Sequence, residues 1–500
     1  MLRGSKLQRH PTPARAGYLH FVSSAQATSQ GRTPEPRVEY DLPLAALEGN
    51  YRYDPPGAKV VRRLSPLTRF RCAGDDRPGG HSAIVASMKF ATRVLVLFSL
   101  INLVNYIDRY VVAAVLEPLG TDLGIDDAQR GRLTFVFVIV YMLAAPIFGA
   151  LADRLHRPRL IAAGVTIWSL ATMASALVHS YPALLIARSF VGVGEAAYAS
   201  LGPAVLSDCI PESERARRFT WFYLAIPVGS ALGYAIGGVV AQHYGWRASF
   251  LVAGLPGLIL ATFLLRLADP ERGALDATKE LVHLTTLGAR VAAAFRTRIW
   301  LACTASYVAY TFAMGALSTW APSMLQRRFH VEIGSAGAAF GGIAVVTGIL
   351  GTFIGGFATD RGQRRFPNIG LHLSALTLLL AAPCVYGALH AQTLTLTYLL
   401  FFASMLCLFV NTSPVNAITV SSLPASARAT GTAINVLLIH LFGDAISPEL
   451  VGLRSSAAQA KGISPGDALT QGLEIALPAI VLAGVMLLFA RSKSVVVSRA

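Results

Sequence analysis

Several ionisable side chains stand inside long apolar runs of this 500-residue chain: Asp108 and Arg109, Arg188 and Glu195, His440 and Asp444, with Glu449 near the end of the run that holds His440 and Asp444. A charge in hydrocarbon is costly, so such groups face a protein interior or an aqueous cavity and mark an ion or substrate path. Arg109 and Arg188 stay charged at any working pH and can grip a phosphate or carboxylate with fixed donors. Glu195 is suited to exchanging a proton, because burial favours the neutral carboxyl while a nearby guanidinium favours the charged one. It lies seven residues beyond Arg188, two turns along one helix face and close to the bilayer middle. Asp108 and Arg109 lie roughly 12–14 Å below the nearer end of their run, and Arg188 roughly 10 Å below the matching end of its own. Matching depth predicts an Asp108–Arg188 ion pair wherever those helices are neighbours. Arg188 is then expected to bind an anionic group, Glu195 to carry a proton, and Asp108 to compete with substrate for Arg188. A purely structural network closing the outer side of a cavity is the alternative reading of the same four residues. His440 and Asp444, at i and i+4, share a face without further ligands. A packing or gating hydrogen bond is expected there rather than a metal.

The elements that hold these groups must be membrane helices. The chain is 54% hydrophobic and only 14% charged, too few charges to cover a water-facing surface. Runs long enough to span are 92–117, 131–152, 158–178, 182–207, 217–241, 247–266, 299–324, 334–358, 367–389, 394–420, 430–453 and 470–490. Alternate connections hold 21 and seven basic residues, so the positive-inside rule places both termini in the cytoplasm. The net charge of +16 is spent on orientation, without the aromatic–basic interleaving of a base-stacking surface, and nucleic acid is not an expected partner. Glu117, Asp153 and Asp208 fall at span ends, where exposure makes a charge cheap.

The long connection after the sixth span divides the chain into a six-helix bundle over 88–266, a cytoplasmic linker over 267–298, a second six-helix bundle over 299–491 and a tail over 492–500. "GALADRLHRPR" (149–159) and "GGFATDRGQRR" (355–365) occupy equivalent places in the two halves. Two such halves with a site between them are the plan that alternating access requires. In the linker, Leu281, Leu284, Leu287, Val291 and Phe295 recur at helical spacing beside basic residues, and this helix is expected to lie flat on the inner membrane surface. Gly229, Gly233 and Gly237 leave one face of the fifth span bare for a close neighbour. Residues 1–87 carry 13 basic and seven acidic side chains with no sustained helical period, and disorder is expected. "MKFATRVLVLFSLINLVNYIDRY" from Met88 has the basic flank and immediate apolar helix of a bacterial inner-membrane protein, so Met88 is a candidate true start.

Other chemistries find little support. Cys303, Cys384 and Cys407 lie in apolar runs at no metal-ligand spacing and read as packing residues. "GVGEAA" (192–197) fits a loose dinucleotide pattern but follows no strand, and no P-loop, H-E-x-x-H or G-x-S-x-G signature is present. No cofactor is expected. A membrane lipid enzyme would need a nucleophile or paired acid near the surface, and a sensor would need a large folded cytoplasmic domain.

"GALADRLHRPR" resembles the loop motif of the major facilitator superfamily, with Gly149, Asp153, Arg154, Arg157 and Arg159 in place and His156 where many members have glycine. "RSFVGVGEAA" (188–197) is similar to that superfamily's fourth-helix motif. The resemblance implies an all-α membrane fold of twelve helices and a gating role for the loop. Asp153 would meet a helix N-terminus or an arginine of the other half as an inner latch. "NYIDRYVVAAV" (105–115), "RSFVGVGEAAYASLGPAVLSD" (188–208), "GWRASFLVAGLPG" (245–257) and "RATGTAINVLLIHLFGDAISPELVG" (428–452) look like the Spinster-like group, which moves lysolipids and sphingoid phosphates, some with protons. By that resemblance Asp108, Arg109, Arg188 and Glu195 are the proton-coupling and headgroup residues, and the partners are a lipid or other small molecule, protons and the bilayer, with the protein working as a monomer. An organic anion or drug is the alternative cargo.

Overall fold

The computed structural model describes residues 18–21, 40–43, 80–272, 286–363 and 365–490. The chain divides into two units, Met1–Pro78 and Gly79–Ala500. Within the first, β1 (Tyr18–Phe21) pairs antiparallel with β2 (Tyr40–Pro43), Tyr18 opposite Pro43. The rest of the expected disordered stretch up to residue 79 lies outside the described residues.

Among the described residues, the regular elements of the second unit are all helices. Hydrocarbon offers no partner to a backbone N–H or C=O, so apolar runs of this length close their hydrogen bonds internally. The first half holds α1 (Gly80–Leu123), α2 (Asp127–Ala152), α3 (Arg157–Ser175), α4 (Tyr181–Cys209), α5 (Glu212–Tyr244) and α6 (Trp246–Leu265). After α7 (Leu287–Arg296), the second half holds α8 (Arg298–Phe329), α9 (Ile333–Gly362), α10 (Ile369–His390), α11 (Leu394–Val410), α12 (Thr412–Ser421), α13 (Ala425–Ile439), α14 (Ile446–Gln459), α15 (Pro465–Leu473) and α16 (Ala476–Phe489). α11 with α12 forms one span, α13 with α14 another, and α15 with α16 the last. Eleven spans among the described residues are long and apolar enough to cross a membrane. The twelfth is α3, whose 19 residues open on Arg157-Pro158-Arg159 and so fall short in apolarity rather than in place. α1 begins eight residues before Met88, and of the amphipathic segment expected over 276–298 the described helix is α7. Its Ala294 is buried with Trp300 and Leu423 in a small apolar cluster, so one face of α7 packs on the second half while Leu287 and Phe295 stay exposed.

Local sequence sets the reversals. Asp126 caps α2 by accepting from Gln129 N at 2.8 Å, and Gln129 returns a bond to Asp126 N, two orphan donors satisfied together. Gly245, at φ 82°, lets α5 turn directly into α6, a conformation a side chain would strain. The bare stripe on α5 meets α1: a Cβ on Gly229 would fall 2.6 Å from Leu103 O, and one on Gly233 2.7 Å from Ile107 O. Gly233→Val is therefore expected to push α1 off α5 at a cost of about 1–3 kcal/mol, read as a lowered unfolding temperature of the detergent-solubilised chain; an unchanged value would show that α1 yields freely.

Both ends of the bundle are marked by ion pairs. At the end carrying the α2–α3 turn, here the linker end, Arg157 binds Asp208 at 2.6 Å and Asp269 at 2.8 Å, tying the start of α3 to the close of α4 and to the segment after α6. At the opposite, far end the two halves are joined. Arg327 of α8 reaches Glu117 at 2.9 Å and Asp127 at 2.6 Å, Ser455 and Gln459 of α14 donate to Asp127 at 2.6 and 2.7 Å, and Arg132 meets Glu449 at 2.8 Å. Gly131 lies against Pro448 O and Gly452 against Asp127 O, so the backbones of α2 and α14 touch. The structure is closed at the far end.

Candidate functional site

The ionisable groups of α1 and α4 gather in the interior of the first half, midway between its ends. α1 and α4 pass each other, so Arg109 comes level with Glu195: Arg109 Nη2 and Nε donate to Glu195 Oε2 at 2.7 and 3.2 Å. Asp108 points instead toward α3, where Thr172 Oγ1 donates to its Oδ2 at 2.5 Å. Arg188 Nη1 stands 3.9 Å from Asp108 Oδ1, an ionic contact without a hydrogen bond, and Arg188 Nε and Nη1 have no partner. The expected Asp108–Arg188 pair is thus loose, and the tight pair joins residues that spacing did not bring together. The reason is rotational: two turns along α4 place Glu195 about 10 Å from Arg188, whereas α1 brings Arg109 in beside it.

Exposure separates the members. Glu195 and Asp108 are fully buried and Arg188 nearly so, while the Arg109 side chain is 21% exposed. Aromatic rings surround the guanidiniums. Arg109 Cζ lies 5.2, 5.1 and 5.3 Å from the ring centres of Tyr106, Phe137 and Tyr141, and Arg188 Cζ lies 5.0 Å from Phe137. A desolvated guanidinium is stabilised by such ring faces, which leaves it less dependent on a carboxylate. Phe137, Tyr141 and Thr172 were not foreseen; their contacts need the neighbour helices, and no periodicity singles them out.

The second half supplies His440 and Asp444, with His440 Nδ1 3.0 Å from both carboxylate oxygens of Asp444. They open and close a π-helical turn, His440–Asp444, in which Ala445 N bonds back to His440 O at 3.0 Å. At the start of the turn the Ile439 carbonyl accepts from Thr311 Oγ1 at 3.0 Å, and Gly443 lies directly against Thr311. Both side chains are half-buried, and the His440 ring lies 6.3 Å from Tyr141 of the first half. π turns cluster at functional sites because they redirect side chains that a regular helix would keep in line.

The expected linker-end latch takes a different form. Asp153 is 79% exposed and meets Arg272, which follows α6, at 3.4 Å rather than an arginine of the second half. Arg157 is buried in the strut to Asp208 and Asp269, Arg154 and Arg159 are exposed, and a Cβ on Gly149 would meet nothing. Of the span-end acids, only Asp153 is the exposed group foreseen; Glu117 and Asp208 are largely buried and paired. A spacing pattern shows where a span ends but not which charge from another span folds over it.

Among the described residues no cluster of histidine, cysteine and acid could hold a metal ion. Known proteins agree with the architecture. The Major Facilitator Superfamily profile matches residues 98–448. Protein spinster of Drosophila melanogaster is 34% identical over 413 residues, which cover 81% of this chain and 65% of that protein; the chain thus spans about two thirds of the fly protein's length. Protein spinster homolog 1 of Xenopus tropicalis is 32% identical over 83% of this chain and 85% of its own. Among solved structures, a bacterial homolog to the human lysosomal transporter Spinster, inward-facing and unoccupied, superposes with a TM-score of 0.70 at 24% identity over 80% of this chain and 95% of that one. A D-xylose–proton symporter shares the fold at a TM-score of 0.62 and 15% identity. With its family profile, its relatives and its twelve-span fold in agreement, the chain belongs to the major facilitator superfamily and, within it, to the Spinster transporters.

Proposed function

We propose that the protein is a proton-coupled secondary transporter of a single-chain lipid with an anionic head, such as a lysolipid or sphingoid phosphate, working as a monomer by alternating access in a bacterial inner membrane with its linker end in the cytoplasm. One observation carries the coupling: Arg109 is the partly exposed member of a pair whose other member, Glu195, is fully buried. An anionic head that docks on Arg109 must draw its guanidinium away from Glu195, and an unpaired carboxylate in that interior is strongly disfavoured unless it takes up a proton. Anion and proton then bind together. Arg188, with two unbonded donors behind Phe137, offers the anion a second grip once that ring moves. His440 and Asp444 face the same chamber from the second half and sense its occupancy through the π turn. A cavity opening between the halves, with apolar walls and this cationic end, would suit an acyl chain with an anionic head. At the linker end, Gly149, Asp153, Arg154 and Arg159 form the gate that closes when the far end opens, Asp153 exchanging Arg272 for a partner in the second half.

Counterflow in proteoliposomes tests the coupling. Glu195→Gln is expected to retain exchange and lose the response to an imposed pH gradient; an undiminished response removes Glu195 from the coupling role. Competition by lysophospholipid against small carboxylates separates lipid cargo from an organic anion.

A further inference from the structure

Neither coupling carboxylate is exposed in this conformation. Glu195 has no exposed surface, its Oε2 is covered by Arg109, and Asp108 Oδ2 is covered by Thr172. The remaining oxygens, Glu195 Oε1 and Asp108 Oδ1, are buried without a hydrogen-bond partner. α1 carries a second approach to these oxygens, on the side away from the exposed Arg109. Ser99, Asn102, Asn105 and Asp108 follow one another at i+3, the spacing at which helical side chains are neighbours. The row winds half a turn about α1, and apolar side chains would be its ordinary content where it is buried. Asn102 and Asn105 are each 4% exposed, Ser99, the member of the row nearest the linker end, is part-exposed, and Asn102 Nδ2 donates to Phe222 O at 3.0 Å. Ser99 Oγ and Asn105 Nδ2 are buried and unpartnered. Tyr198, on the facing α4 three residues past Glu195, sends its hydroxyl to Phe98 O at 2.6 Å and so borders the same ridge. Buried polar groups left unpaired in register are the places where ordered water completes a chain.

We infer that the buried ridge Ser99–Asn102–Asn105–Asp108, flanked by Tyr198, is a proton entry route leading from the linker end to Asp108 and Glu195 within the first half, apart from the substrate chamber. The inference rests on the carboxylate role proposed above. Protons pass along water held in place by the ridge hydroxyl and amides, each water handing one proton on as it receives another, with Asn105 positioning the last water before the carboxylates. The charged and titratable groups facing those carboxylates are Arg109 and Tyr106 on α1, Arg188 on α4, Tyr141 on α2, and Asp444 with His440 across the chamber. Asn105 itself carries no charge, so its replacement should change how fast the carboxylates equilibrate rather than where they titrate.

A pH jump on the purified full chain, followed by tryptophan fluorescence, makes the distinction; Trp168 reports because its ring lies 6.0 Å from Tyr198 and its backbone touches Gly194. Asn105→Leu is expected to slow the transient by about tenfold with unchanged amplitude and midpoint, and Asn105→Ser to recover most of the rate. An unchanged rate in Asn105→Leu, or a moved midpoint, overturns the route, the latter making Asn105 an electrostatic neighbour only. Should Asn105→Leu not fold, Ser99→Ala carries the same expectation. A transient that persists in Asp108→Asn/Glu195→Gln sinks the carboxylate role itself, while one that vanishes there but ignores Asn105→Leu sinks the route alone.

Discussion

Arg327→Ala is expected to open the far end. Asp127 would then keep Ser455 and Gln459 as donors and Arg130 as an ionic neighbour at 3.3 Å, but lose the guanidinium that holds it through two bonds, at 2.6 and 2.7 Å, in a position where its side chain is 3% exposed. Glu117 would lose a partner in the same step and keep only Arg130, at 3.1 Å. Removing one member of a buried ion network costs about 3–5 kcal/mol, because the charges left behind stay desolvated. In a two-state transporter that cost falls on the conformation containing the network. The far-end-closed state should lose population by a factor of about a hundred or more relative to its alternative. Paired cysteines at Ala128 and Ser456, where Ser456 Oγ accepts from Ala128 N at 3.0 Å across the α2–α14 contact, report it directly: their cross-linking should fall sharply in Arg327→Ala. Undiminished cross-linking would mean that the close approach of α2 and α14 holds the far end without the ions. Asp127→Asn, which removes charge but retains an acceptor, should give a milder opening.

Arg109→Ala is expected to abolish binding of an anionic head, by about a hundredfold or more, because the variant loses the exposed cation and leaves Glu195 buried with no partner for its charge. Two effects are mixed in that single change, and a second variant separates them. Arg109→Ala/Glu195→Gln removes the stranded charge, so thermal stability should return while anion binding stays lost. Recovery of binding in the double variant would show that Arg109 serves only to neutralise Glu195. Arg109→Lys should bind weakly, since an ammonium cannot reproduce the planar fork that reaches Glu195 through both Nη2 and Nε.

How the halves meet explains why these two substitutions should act on different steps. Arg327 sits in an interface made only when the far end is closed, whereas Arg109 and Glu195 both belong to the first half and travel together. A gate residue changes which conformation is populated; a site residue changes what each conformation binds. The π turn His440–Asp444 is placed to connect them, because it lies opposite Tyr141 at the chamber and continues through α14 into Ser455 and Gln459 at the far end.

Much of this was open to reading in the residues themselves. Hydrocarbon allows so few backbone solutions that apolar length alone identified the spans, and the rarity of charge within them singled out Asp108, Arg109, Arg188, Glu195, His440 and Asp444. Glycine spacing on α5 predicted a close neighbour, and α1 fills that place. What spacing could not supply was partnership between helices. Depth argued for Asp108 with Arg188, but depth is one coordinate, and the rotation of α1 against α4 gave Glu195 to Arg109 and Asp108 to Thr172. The same limit hid the burial of Glu117 and Arg157, each at a span end in sequence and each covered by charges from helices far along the chain. One helix fixes which side chains share a face and at what depth, since both follow from its pitch. Which of those side chains meet depends on the angle and phase at which two helices pack, and that is decided by every contact along their interface at once.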